Sequence, residues 1–162
     1  YTWMSQVYDD YVERLSAGAF SKAFDRSGNQ IPGVTPNNFT AKLGYDHFSG
    51  PLAGLGGHVE FVARDKTLLD NANLLAAPGY TQANVNLHYD GRVGRGRERA
   101  VHLLVEVRNV TNRVWVASAS NLSTTLSATT GEQNGADALR ATSGSIYAGT
   151  PRTLFTGVRV GF

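Results

Sequence analysis

At 162 residues the chain is long enough for one domain with a core of its own, and with no cysteine it excludes disulfide staples, thiolate metal sites and a thiol nucleophile. A net charge of +2 is too small to argue for a nucleic-acid partner. No apolar run approaches the ~20 residues of a spanning helix, but a spanning strand needs only about 9–11 and exposes apolar groups on one face, so a hydrophilic average excludes no membrane protein of that kind.

The chain opens Tyr1-Thr2-Trp3, without an initiator Met or a leader, and reads like the middle of a strand. It is therefore expected to be a piece of a longer protein. Tyr1 to Tyr11 alternates poorly and is assigned as a first strand. Val12 to Thr35 is polar, with turn signals at Gly28-Asn29 and Pro32-Gly33, and is expected to be a long loop with room for a short helix over Val12–Ala23. Asn38 to Asp46 alternates cleanly, Phe39, Ala41, Leu43 and Tyr45 against Asn38, Thr40, Lys42, Gly44 and Asp46. A Gly-rich connection leads to a third strand from His58, and Asp65 to Gly79 is a mid-length loop. Tyr80 to Tyr89 sets Ala83, Val85, Leu87 and Tyr89 against Gln82, Asn84, Asn86 and His88. A Gly- and Arg-rich turn with Arg92, Arg95, Arg97 and Arg99 follows, and reads as solvated. Val101 to Asn109 is the fifth strand. Ser118 to Gly149 is rich in Ser, Thr, Gly and Asn and nearly without pattern. The closing strand, Thr150 to Phe162, puts Phe162, Val160, Val158, Thr156 and Leu154 in one row.

The connections alternate in length. Counted back from the end they run long, short, medium-long, short, long. Such alternation is expected of strands that cross a membrane, with short turns on the periplasmic side and long loops outside. Polar inner faces also leave no second apolar layer for a soluble core. A terminal strand that alternates and ends in Phe is similar to the closing strand of bacterial outer-membrane barrels, where it resembles the signal read by the barrel-assembly machinery.

Four motifs narrow the resemblance. Ile31-Pro32-Gly33-Val34-Thr35-Pro36 precedes the second strand; Ala77-Pro78-Gly79-Tyr80 opens the fourth, which continues Asn84-Val85-Asn86-Leu87-His88-Tyr89. Glu106-Val107-Arg108-Asn109-Val110-Thr111-Asn112 is followed by Arg113 and Trp115, and Tyr147-Ala148-Gly149-Thr150-Pro151-Arg152-Thr153 leads into the last strand. In this order they resemble the late barrel of TonB-dependent outer-membrane receptors. The resemblance implies an all-β, antiparallel, up-and-down transmembrane barrel of which this chain holds about six of ~22 strands. It implies residues 1–162 as the C-terminal part of the barrel, with the plug domain and the TonB box upstream. It further implies uptake of a scarce ligand, a ferric siderophore or similar iron complex, driven through the TonB complex, in the outer membrane of a Gram-negative bacterium.

The alternation assigns faces. Phe39, Leu43, Phe61, Val85, Leu87, Val105, Val158 and Val160 are expected to meet lipid. Lys42, Glu60, Asn84, Asn86, His88, Glu106, Arg108 and Arg159 are expected to face the lumen. Phe162, Val160 and Val158 form the expected assembly signal. Asp70, Asn71 and Asn73, in an expected outer loop, are candidates for ligand contact. His58, His88 and His102 share polar faces with Glu60 and Glu106, but no pair has metal-ligand spacing, and a hydrated lumen accounts for them. No nucleophile frame or phosphate loop is present. Neither catalysis, a cofactor, a metal nor a nucleic acid is expected. The competing readings are another outer-membrane barrel, such as a passive porin or an autotransporter translocator, and a soluble β-rich glycan-binding module.

Overall fold

The computed structural model describes residues 1–93, 99–120, 126–133 and 145–161. Phe162, Arg95 and Arg97 lie outside the described residues. Among the described residues twelve strands are present: β1 (Thr2–Trp3), β2 (Val12–Ala17), β3 (Phe20–Asp25), β4 (Asn37–Asp46), β5 (Leu55–Arg64), β6 (Thr67–Leu68), β7 (Ala76–Ala77), β8 (Tyr80–Val93), β9 (Arg99–Arg108), β10 (Val116–Ser120), β11 (Ser145–Ala148) and β12 (Thr153–Val160). One sheet runs β1-β4-β5-β8-β9-β12; β2-β3, β6-β7 and β10-β11 are separate two-stranded pairs.

The chain divides into two compact units. The strand unit holds Phe39–Ala63, Thr81–Val114 and Thr150–Phe162. It is an up-and-down wall in which each long strand lies beside the next long strand in sequence. Register is set by the side-chain period of two, because a slip of one residue would turn every apolar group to the polar face. Accordingly β8 pairs with β9 without a break from Val85↔Val107 to Val93↔Arg99, and β9 with β12 from Arg108↔Thr153 to Val101↔Val160, both antiparallel. The turn between β4 and β5 closes at Gly54, whose φ of +90° and contact with the Asp90 carbonyl leave no room for a Cβ.

The connection unit holds Tyr1–Asn38, Arg64–Tyr80 and Trp115–Gly149, and all three two-stranded pairs lie in it. Here the sequence expectations need correction. Tyr1 to Tyr11 is not one strand: only Thr2 and Trp3 pair, with Asn38 and Asn37, and Val7 makes a single bridge to Gln30. No helix forms over Val12–Ala23. The segment is a hairpin from Val12↔Asp25 to Ala17↔Phe20, turned by Gly18 at φ +59°. The β-branched and aromatic residues Val12, Phe20 and Phe24 suit a pleated surface better than a helix. The patternless Ser118–Gly149 contains β11, and β10 overlaps its beginning.

Apolar burial is slight. Among the described residues the buried hydrophobic ones are Leu75, Ala77 and Leu126, all in the connection unit, whereas Leu43 is 81% and Val158 72% exposed on the strands. The strand wall has no buried hydrophobic side chain among the described residues.

Candidate functional site

The register sorts the side chains of the wall. Val85, Val107 and Leu154 are level with one another, as are Leu87, Val105 and Thr156, then Tyr89, Leu103 and Val158, then Gly91, Val101 and Val160. Residues opposite each other in a ladder share a face. The other face carries Asn86, Glu106 and Phe155, then His88, Leu104 and Gly157, then Asp90, His102 and Arg159. Arg108 belongs to this second face: its Nε donates to Glu106 Oε1 at 2.6 Å and its guanidinium lies over the Phe155 ring. Asn84 donates to Glu60 Oε2 at 2.7 Å. A Cβ on Gly44 would stand 3.2 Å from that of His58, so Lys42, two residues away, shares the face of His58 and Glu60. The structure thus brings Lys42, Glu60, Asn84, Asn86, His88, Glu106, Arg108 and Arg159 onto one face.

Two histidine–carboxylate pairs join the same face. His88 Nε2 lies 3.0 Å from Asp46 Oδ1, and His102 Nδ1 lies 2.5 Å from Asp90 Oδ1, with the imidazoles 6.5 Å apart. Gly56 makes the first pair possible, because any Cβ there would overlap both partners. Among the described residues no three His, Asp or Glu side chains gather as metal ligands.

At the far end of β9 the chain is pinned by one side chain. Asn109 is fully buried, at φ +52°, a left-handed conformation that Asn tolerates better than most residues. Its Nδ2 donates to the carbonyls of Arg113 and Thr150, its Oδ1 accepts from Arg113 N–H, and its own N–H donates to Asn84 Oδ1. Asn112 Oδ1 accepts from Arg152 N–H. The Glu106–Asn112 motif is therefore a corner: its two asparagines tie the end of β9 to the lead-in of β12.

In the connection unit the three long connections are tied by polar side chains. Glu13 and Arg26, 8% and 7% exposed, form an ion pair at 3.0 Å. Arg26 also donates to Gln133 Oε1, and Asn71 donates to Glu13 Oε1 at 2.8 Å. Tyr8 Oη donates to Asn71 Oδ1, and burial, ahead of the nearby Tyr11 and Glu13, pushes the Tyr8 phenol above its usual range. First, middle and last connections thus meet at one cluster, which carries charge that only its internal pairing makes tolerable.

The same unit holds a cavity of about 260 Å³, walled by Thr35, Arg64, Asp65, Thr67, Tyr80 and Trp115 among others. Tyr80 and Trp115 stack with centroids 4.2 Å apart. The hydroxyls of Thr35 and Thr67 bond each other at 2.6 Å, and Asp65 accepts from Asn37 Nδ2 at 2.5 Å.

A family model for the TonB-dependent receptor-like β-barrel matches residues 1–110. The chain belongs to this family. The receptor is accordingly an outer-membrane protein of Gram-negative bacteria. No curated protein sequence matches the chain. The family match stops two residues past β9, yet β12 of the receptor pairs with β9 at eight consecutive positions, so the wall continues to the last described strand.

The outer-loop candidates occupy structural positions in the receptor. Asp70 is 1% exposed, and its carboxylate accepts the N–H groups of Leu74 and Leu75. Asn71 is held by Tyr8, Asn29 and Glu13. Asn73, at φ +58°, exchanges hydrogen bonds with the backbone of Gln30. These side chains direct their polar atoms into the loop and its neighbours. The sequence reading missed Glu13, Arg26, Asn109, Arg64 and Thr67. Only Asn109 carried a signal, its place in a quoted motif.

Proposed function

We propose that the receptor takes up a scarce ligand, a ferric siderophore or similar iron complex, against its gradient. Energy would come from the inner-membrane TonB complex through a plug and TonB box outside these 162 residues. The receptor is a transporter in this reading and performs no covalent chemistry. The apolar face of the wall meets lipid and the polar face lines the lumen. Membership in the receptor family carries this reading, and the gathering of all three long connections into one unit with a cavity supports it.

The test uses cells that carry the full receptor as their sole candidate importer, offered radioiron complexed by a panel of siderophores. One complex should accumulate only when both the receptor and TonB are present. Uptake that persists without TonB would favour a passive porin, and lack of uptake for every iron complex would remove iron as the cargo.

The closing strand is proposed as the handle for barrel assembly. An alternating strand edge templates a partner through its backbone groups. Deleting Phe162 from the full receptor should lower the amount inserted in the outer membrane far more than it lowers refolded stability, since one apolar side chain is worth only about 1.5–3 kcal/mol. Normal surface levels of the deletion variant would leave Val158, Val160 and Phe162 as packing residues.

A further inference from the structure

The wall of the cavity in the connection unit carries donors without partners. Arg64 is exposed at the end of β5, and among the described residues its guanidinium has neither a hydrogen-bond nor an ion-pair partner. The Thr35 and Thr67 hydroxyls can satisfy only one hydrogen between them, because whichever donates leaves the other free to donate elsewhere. On the acceptor side, Asp65 Oδ2 takes the amide of Asn37, whose own Oδ1 takes the hydroxyl of Tyr1.

A guanidinium without a partner calls for a ligand group that accepts hydrogen bonds and carries negative charge. A carboxylate is such a group, and its two oxygens match the planar fork of a guanidinium. The stacked Tyr80–Trp115 pair and the neighbouring Leu69, Ala77 and Pro78 supply an apolar side for whatever the carboxylate is attached to. At about 260 Å³ the cavity is smaller than the roughly 300–1,000 Å³ of a site for a whole drug-sized ligand, so it suits one limb of a larger molecule.

We propose that this cavity is a subsite for a carboxylate-bearing limb of the transported ligand, with Arg64 as the charged anchor and the Thr35–Thr67 hydroxyl pair as the orienting donor. This assignment rests on the uptake reading for the word transported, but not for the chemistry of the cavity.

The test is a titration of the full receptor in detergent with benzoate and with benzamide, which has the same shape but no charge. Fluorine-labelled tryptophan reports on the cavity, the Trp115 resonance being identified by its loss in Trp115→Phe. Benzoate should shift that resonance saturably, and benzamide should bind at least about tenfold more weakly. Arg64→Gln should weaken benzoate by a similar factor, Arg64→Lys by less, and Thr67→Val by a few-fold. An unshifted resonance in the probe-free variants shows that each still folds. Equal binding of benzamide, or undiminished benzoate binding in Arg64→Gln, would overturn the subsite. Failure of TonB-driven uptake with benzoate selectivity intact would instead overturn the transport reading alone.

Discussion

The two units of the receptor solve the same problem in opposite ways. Each is built from antiparallel strands with little buried apolar surface. The strand wall leaves Leu43, Leu87 and Val158 open on one face and sets Asn86, Glu106 and Arg159 on the other. In the proposed reading it is stabilised by the different polarity of lipid and water on its two faces. The connection unit turns inward. Its short hairpins are held by Glu13, Arg26, Asn71 and Gln133, each on a different stretch of chain or strand. A wall of the first kind tolerates polar change on one face and none on the other. A cluster of the second kind fails wherever one partner is lost.

The sharpest break in that comparison is Glu13→Leu. It leaves the Arg26 guanidinium buried beside Gln133 without its carboxylate, a loss of about 3–5 kcal/mol for pairs of this kind. Hydrogen exchange should accelerate through β2, β3 and residues 69–75 and remain unchanged in β8 and β9. Replacing both partners, Glu13→Leu with Arg26→Met, should recover much of the loss. Equal acceleration across both units would show that they do not fold as separate compact bodies.

Next in size is the asymmetry of the wall. Val85→Arg should destabilise the full receptor in lipid vesicles by roughly 2–4 kcal/mol if the site lies near the bilayer midplane, and Asn86→Arg by much less. Urea unfolding of the two variants side by side measures the difference. Equal costs would remove the assignment of the apolar face to lipid.

Asn109→Gly is a smaller change that keeps the left-handed backbone available and removes only the amide. The carbonyls of Arg113 and Thr150 and the N–H of Arg113 then lose their partner, at a cost of about 1–3 kcal/mol. Faster exchange should appear at the β9–β12 corner. No change there would reduce the Glu106–Asn112 motif to a sequence habit without structural weight.

These contrasts also explain what the sequence disclosed. Period-two alternation is a local signal, so β4, β8, β9 and β12 were legible with their faces. Their ends were less so, since β8 runs on to Val93 through Gly91, where no apolar alternation marks it. The connection unit has no such period. Glu13 meets Arg26 across a hairpin, and Asn71 meets Glu13 across 58 positions, so nothing nearby in sequence announces either contact. Asp70-Asn71-Ala72-Asn73 looked like a solvated loop tip because polar turn residues and buried polar anchors have the same composition. The cavity was invisible because Arg64, at the end of β5, and Trp115, before β10, lie far apart in sequence.

The smallest expected effect tests whether the hairpin β2–β3 is anchored at its open end. Asp25 is exposed, yet its carboxyl is held below the ordinary value of 3.8, first by the Ser27 hydroxyl and then by the Ser27 N–H at 2.9 Å. Ser27 Oγ also accepts from Tyr11 N–H at 3.3 Å, so one hydroxyl links the end of β3 to the residue before β2. Both bonds to Asp25 favour the carboxylate. A depressed carboxyl contributes its stability above the unfolded-state value and loses it as pH falls through the folded-state value, so the link should be intact above about pH 4 and fade below it. Ser27→Ala should raise the Asp25 titration toward the ordinary range, read from its carboxyl resonance by NMR on the folded receptor. Global stability at neutral pH should hardly change, because an exposed carboxylate is screened by water in both states. An unmoved titration in Ser27→Ala would mean that the backbone N–H alone holds the carboxylate, and that the tie through Tyr11 adds nothing to the hairpin.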